Sequence, residues 1–317
     1  MGRFGSEAVN PRRALLLLAA LCLGATSSAQ DTTIRVNVRL VRSLVTVKDQ
    51  NGALIGSLNK EDFAVYDNGV QQEVAVFERQ TEQPLSIALM LDTSASVGIE
   101  LRYELDSAAK FLKGLISEGN SEDAAALYTF DWQTTLLRSF TRRFTLLEQA
   151  LGKVKTTGGT SMYDAIYLVS HELRDRTGRH VIVIVTDGGD TTSSKDFHEA
   201  LESAQRADVV MYPIVVIPIT NGAGRNVGGE NALTTLSAGT GGRVFRPSSA
   251  AELDRAFADI LRELRTQYLI GYYPQNVPYT KDRYHTLRIA VPNRSLRVIA
   301  RSGYYGDSDV PRGFGRP

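Results

Sequence analysis

Cysteine is almost absent from this chain. Cys22 is the only one among 317 residues, and it lies in the apolar stretch near the start. Beyond it there is no disulfide framework, no cysteine nucleophile and no thiolate metal site. Histidine is nearly as scarce. His171, His180, His198 and His285 show no ligand spacing, and the zincin-like opening His171-Glu172 meets Asp175 where a second histidine is required. No Gly-x-Ser-x-Gly elbow is present. Single-sign charge is missing too: 36 basic residues against 35 acidic ones leave no footprint for nucleic acid and no charged tail. Outside the first thirty residues, no apolar run approaches the roughly 20 residues of a membrane span.

What is present begins with a leader. Residues 1–29 read as a secretory signal peptide: Arg12 and Arg13 form the positive region, Ala14 to Gly24 the apolar region, and Ser27 and Ala29 flank a cleavage site before Gln30. The paired arginines also hint at twin-arginine export. A retained anchor is the alternative, although the apolar region is short for a span, and no stable membrane span is expected once the signal is removed. Cys22 follows Leu21, where a lipoprotein signal needs a small residue. Arg3, Arg12, Arg13 and Glu7 fall in this stretch, so the remainder carries a formal charge of −1. An exported chain without cysteine suits a bacterial periplasm, exterior or cell surface.

Residues 30–83 are β-patterned. Thr33 to Val41 alternates apolar and polar residues, Asp49-Gln-Asn-Gly52 and Asp67-Asn-Gly69 are hairpin turns, and Phe63–Tyr66 and Glu73–Phe77 are strands. They predict a small antiparallel domain of immunoglobulin-like size. Residues 84–266 alternate strands (from Leu85, Ala124, Thr134, Val181 and Val209) with amphipathic helices over 100–116, 146–154, 162–176, 196–207 and 253–264. That order predicts an α/β fold with a doubly wound, mainly parallel sheet. Residues 267–306 return to β patterning, and neither flank alone has enough strands for a comfortable core. The two flanks are therefore expected to pack together, with the α/β domain inserted between them. Residues 307–317 have the composition of a disordered tail.

Three stretches carry the chemistry. Leu85-Ser-Ile-Ala-Leu-Met-Leu-Asp-Thr-Ser-Ala-Ser96 is a buried strand ending in three oxygen-bearing side chains at alternate positions: Asp92, Ser94 and Ser96. Thr157-Gly-Gly-Thr-Ser161 is a small polar loop before a helix. His180-Val-Ile-Val-Ile-Val-Thr-Asp187 is a second buried strand ending in a carboxylate. Open α/β sheets bind ligands at the carboxyl ends of their strands, and an all-oxygen donor set suits Mg²⁺, Ca²⁺ or Mn²⁺ rather than zinc or copper.

In this order, the three stretches closely resemble the metal-ion-dependent adhesion site (MIDAS) of the von Willebrand factor type A (VWFA) family. The resemblance covers roughly Pro84 to Thr266, and the preceding β segment is similar to that of a bacterial exported group first noted in acidobacteria. It implies a Rossmann-like fold and a divalent cation, Mg²⁺ before Ca²⁺ or Mn²⁺, held by Asp92, Ser94, Ser96, Thr160 and Asp187. In the family the serines bind the metal directly, the threonine joins in the liganded form, and the aspartates act largely through water. It further implies a non-enzymatic, adhesion-type module whose protein partner offers an acidic residue, with no nucleic acid involved. The alternative is a scaffold or accessory subunit of an envelope complex with a structural metal.

Neighbouring residues receive structural readings. Asp164 and Asp190 are expected to order the loops or to support the site residues, ahead of direct ligation as the alternative, and Asp131 to make a turn. Gly222-Ala-Gly-Arg-Asn-Val-Gly228 places its third glycine one residue late for a dinucleotide loop and reads as a surface insertion. Tyr272, Tyr273, Tyr304 and Tyr305 read as β packing.

Overall fold

The computed structural model describes Gly2 and residues 40–79, 82–94, 101–216, 226–278 and 280–306. The signal stretch, most of the strand expected from Thr33, Ser96, the start of the glycine-rich 222–228 loop and the 307–317 tail lie outside the described residues.

Two four-stranded antiparallel sheets come from the two ends of the chain. The first contains β1 (Val41–Lys48), β4 (Val74–Glu78), β10 (Tyr268–Tyr272) and β12 (Arg297–Ala300), in the order β12-β1-β10-β4. The second contains β2 (Ala64–Asp67), β3 (Val70–Gln72), β11 (Tyr284–Ala290) and β13 (Gly303–Tyr305), in the order β13-β11-β2-β3. Leu269 of β10 lies opposite Glu78 of β4, and Ile289 of β11 opposite Val65 of β2. The β2–β3 turn uses Asn68 and Gly69 at φ 46° and 82°, the left-handed pair that a tight hairpin of this hand requires. Val45, Val47, Phe63, Val65, Tyr268, Ile270, Leu287 and Ile289 form a shared core. Within it, Asp67 is fully buried and accepts hydrogen bonds from Tyr272 Oη (2.9 Å), Tyr304 Oη (2.6 Å) and His285 Nδ1 (2.9 Å).

Between β4 and β10 the chain builds a five-stranded sheet. Its strands are β5 (Leu85–Asp92), β6 (Ala124–Phe130), β7 (Thr134–Thr141), β8 (Arg179–Thr186) and β9 (Val209–Val215), in the order β7-β6-β5-β8-β9. Only β6–β7 is antiparallel. The helices are α1 (Leu101–Glu118), α2 (Phe144–Leu151), α3 (Met162–Arg174), α4 (Phe197–Arg206), α5 (Val227–Thr240) and α6 (Ala250–Thr266). Side chains alternate across a strand, so β5 serves two cores. Ile87, Leu89 and Leu91 pack with Phe111, Leu112, Phe257 and Ile260 of α1 and α6. Ala88 and Met90 pack with Ile166, Val169, Ala200, Leu233 and Leu236 of α3, α4 and α5. A strand buried on both faces must be continuously apolar, which is why β5 and β8 are.

The sheet joins the sandwich through buried polar contacts. Gln267, fully buried between α6 and β10, donates from Nε2 to Thr46 Oγ1 (3.2 Å) and Tyr212 Oη (3.3 Å). Arg301 pairs with Asp208 at 2.6 Å, and Lys48 pairs with Glu263.

Two elements differ from the sequence expectation. Helix α2 spans Phe144–Leu151 rather than 146–154. Helix α5 was not expected, because glycines, serine and threonines dilute its helical pattern; Gly228, assigned above to a surface insertion, lies in its first turn.

Candidate functional site

The chain runs from β5 to β6 on one side and later returns to β8 on the other. The carboxyl ends of β5 and β8 therefore flank a topological switch point. Asp92 ends β5 there, fully buried. Its Oδ1 accepts from the Ser94 amide (2.9 Å) and its Oδ2 from Thr186 Oγ1 (2.6 Å). Burial pushes the Asp92 carboxyl up from its ordinary 3.8 to about 6; the Thr186 and Ser94 hydrogen bonds oppose this rise, and the negative charge of Asp187 adds to it. Among the described residues, no ion pair reaches Asp92 or Asp187.

Asp187 follows β8 directly and is half-buried. Its Oδ1 accepts from the Gly189 amide (3.2 Å), while the Gly188 amide donates to Thr186 Oγ1 (3.1 Å). The turn depends on Gly188 at φ 93°. Helix α5 closes on it so tightly that a Cβ at Gly229 would lie 1.5 Å from the Gly188 carbonyl oxygen. Asn226 caps that helix by accepting from the Gly229 amide (2.9 Å).

Thr160 comes from the loop before α3 and is buried. Its amide donates to Thr191 Oγ1 (3.0 Å), and its carbonyl accepts from the amides of Thr191 (2.8 Å) and Thr192 (3.2 Å). The same loop is tied to β5, since the Thr157 amide donates to the Thr93 carbonyl (2.7 Å). Hydrogen bonds thus join the three stretches. Asp190 accepts from the amides of Met162 (2.8 Å) and Tyr163 (3.2 Å) and from Ser193 Oγ (2.6 Å). Asp164 accepts from the amides of Ser194 (3.0 Å) and Lys195 (2.7 Å). Asp190 uses Oδ1 to hold the first turn of α3 and Ser193, while Asp164 spends both oxygens on the backbone of Ser194 and Lys195. Asp131 makes its turn through the Gln133 amide (3.0 Å) and also accepts from Thr157 Oγ1, which fastens β6 to the Thr160 loop.

Asp92, Ser94, Thr160 and Asp187 accordingly lie on segments that converge at one end of the sheet, while Ser96 is outside the described residues. The donor set fits a hard divalent cation. A buried carboxylate without a cationic partner is costly, and a divalent ion at the mouth of the site would supply the missing charge while the hydroxyls would add none. Among the described residues no three His, Cys, Asp or Glu side chains cluster as a metal site; the set is one of two carboxylates and neutral hydroxyls. A cavity of about 40 Å³ lined by Leu44, Arg179 and Val209 lies at the other end of the strands and holds none of these residues.

Thr186, Gly229 and the Thr191–Thr192 pair escaped the sequence reading. Thr186 directly precedes the recognised Asp187, and Gly228-Gly229 at a helix start signals close backbone approach; these were the available clues.

A family model described as von Willebrand factor type A domain matches residues 86–259. Cuticlin-6 of Caenorhabditis elegans is 30% identical over 204 residues, which cover 62% of this chain and 33% of that protein. This chain thus spans about a third of that relative's length. Among solved structures, the vWF domain of the type V pili tip protein Mfa5 from Porphyromonas gingivalis is 14% identical, with 57% of this chain and 95% of that one covered, at a TM-score of 0.47. BatB from Bacteroides thetaiotaomicron is 15% identical, with 57% and 98% covered, also at 0.47. The described residues contain no helix long and apolar enough to cross a membrane.

Proposed function

The chain belongs to the von Willebrand factor type A domain family, and from that premise we propose that it is a metal-dependent protein-binding module rather than an enzyme. Asp92 carries this reading. It is a fully buried carboxylate at a strand end, without a cationic partner among the described residues, beside a second carboxylate and a set of hydroxyls. Asp92, Ser94, Ser96, Thr160 and Asp187 would hold the ion, Mg²⁺ first among the candidates. When bound, it supplies a Lewis-acidic position for a carboxylate oxygen of a partner. Thr186 and the Ser94 amide orient Asp92, and α5 braces the Asp187 turn. The leader-like composition of residues 1–29 supports a location outside the cytoplasm of a bacterium for this activity.

The test is calorimetry with Mg²⁺ and Mn²⁺ on the wild type, Asp92→Ala and Asp187→Ala. Both variants should fold and lose measurable metal binding; unchanged affinity in both would remove the site. Pull-down from envelope extract with and without EDTA then separates metal-dependent capture from scaffolding. Thr160→Ala should weaken capture more than it weakens metal binding, since in the family this threonine engages the metal mainly when ligand is present.

A further inference from the structure

Trp132 is the sole tryptophan of the chain, yet it is 65% exposed. Large aromatic side chains are usually well covered, so an exposed one calls for a reason. Its position is defined on one side. A Cβ on Gly159 would lie 2.5 Å from Trp132 Cδ2 and 2.7 Å from both Cε2 and Cε3, and one on Gly158 would lie 3.3 Å from Nε1. One face of the indole therefore lies on the Gly158–Gly159 backbone, which only glycine permits. Gly159 needs to be glycine for a second reason, its φ of 74°.

The ring's backbone is fastened as well. The Trp132 carbonyl accepts from Ser161 Oγ (3.1 Å), and the Ser161 amide donates to the Asp131 carbonyl (2.7 Å). Across the loop, the Asp131 amide donates to the Gln133 carbonyl (3.2 Å) and Asp131 Oδ1 accepts from the Gln133 amide (3.0 Å). The indole is thus held against the residues immediately preceding Thr160. A tryptophan needed only to cover the glycine loop has no call for a large open surface. An aromatic surface whose orientation is fixed before binding loses little conformational freedom on contact, and tryptophan is enriched among residues that dominate binding energy.

We propose that Trp132 is an aromatic anchor beside the metal position, and that the partner is a protein segment carrying an apolar or aromatic side chain within one or two residues of its metal-seeking carboxylate. This rests on the metal–carboxylate reading above. The spacing follows from the layout: the ring sits one to two residues from Thr160, and an extended peptide advances about 3.4 Å per residue. The exposed Lys155 in the same loop adds positive charge that suits an acidic segment. A peptide is favoured over a sugar because a peptide presents the carboxylate and the apolar group together.

The sole tryptophan also makes the test direct, because emission excited on the red edge, beyond the absorption of the 13 tyrosines, reports from this ring alone. The full chain is titrated with the capped peptides Gly-Phe-Asp-Gly, Gly-Gly-Asp-Gly and Gly-Phe-Asn-Gly, in Mg²⁺ and in EDTA. Calorimetry follows the same peptides on Trp132→Ala and Trp132→Phe. Gly-Phe-Asp-Gly should bind about tenfold more tightly than Gly-Gly-Asp-Gly. Trp132→Ala should erase that ratio and Trp132→Phe should keep most of it. The ratio is taken within each variant, so any side effect on metal affinity cancels. Equal binding of the two Asp peptides to the wild type, or a ratio that survives Trp132→Ala, would overturn the anchor and leave the metal reading standing. Phe-dependent binding that ignores EDTA and the Asp-to-Asn change would support the anchor and sink the metal reading. Absence of binding by every peptide, or a fluorescence shift with maltoheptaose alone, would overturn the proposed partner class.

Discussion

Gly229→Ala is the sharpest test of how the fold holds the site. The added Cβ would lie 1.5 Å from the Gly188 carbonyl oxygen and 2.5 Å from its carbon, where ordinary contact begins at 3.4 Å. Helix α5 and the Asp187 turn must then separate by roughly 2 Å, an overpacking that costs about 1–3 kcal/mol. Replacing a helical glycine by alanine works the other way by at most about 1 kcal/mol, and by less in the first turn, where residue 229 sits. The clash wins, with an expected net loss of about 1–2 kcal/mol. Because Asp187 rides on the displaced turn, divalent-ion affinity should fall about 10–100-fold, as for other residues that orient metal ligands. Gly228→Ala is the built-in control, since its Cβ would meet only Asn226 Oδ1 at 3.7 Å; it should be neutral or slightly stabilising. Urea denaturation in EDTA reads the first effect and Mn²⁺ calorimetry the second. A Gly229→Ala protein that matches Gly228→Ala in both would refute the bracing role of α5.

Two further outcomes follow from buried carboxylates. Asp67→Ala leaves two tyrosine hydroxyls and one imidazole without their acceptor, and should cost about 3–5 kcal/mol in urea denaturation; a loss below about 1 kcal/mol would contradict the network. Asp92 is raised from 3.8 to about 6 in the folded chain, so its contribution to stability is fully present below the ordinary value and is lost as pH rises through about 6. In EDTA, the wild type should therefore lose about 3 kcal/mol relative to Asp92→Asn across that window. Mg²⁺ should stabilise the wild type more near about pH 7 than near about pH 4, because the ion competes with the proton. Parallel pH profiles for the two proteins would show that Asp92 is not the titrating group.

The α/β fold was legible because its signals are local. A strand buried on both faces is continuously apolar, and β5 and β8 each end in an oxygen-bearing residue that burial alone would not select. What stayed hidden depends on distant partners. Thr186 matters through its hydroxyl on Asp92, 94 residues away; its place before Asp187 marks it as near the site but does not name Asp92 as its partner. Helix α5 is held by Leu233 and Leu236 in the core rather than by the propensity of its glycines and threonines. The β-branched run of β1 and the pattern of β11 mark them as strands, but pairing across more than 200 residues is settled only by packing.

The attachment of the α/β segment through β4 and β10 also sets where a load on it would pass. A partner pulling at the carboxyl end of β5 applies tension to a strand about 26 Å long, whose other end leads back toward the sandwich. The force leaves by two routes, through the segment before Leu85 into β4 and through α6 into β10. Those strands are neighbours, with Glu78 opposite Leu269, and both are drawn from the same end. They do not slide against each other. The tension passes instead to the β1 ladder on the far side of β10, whose five residue pairs from Val41↔Tyr272 to Val45↔Tyr268 resist in shear together rather than opening one at a time. Under a pull directed along these strands, the two-stranded tether would act as a clamp.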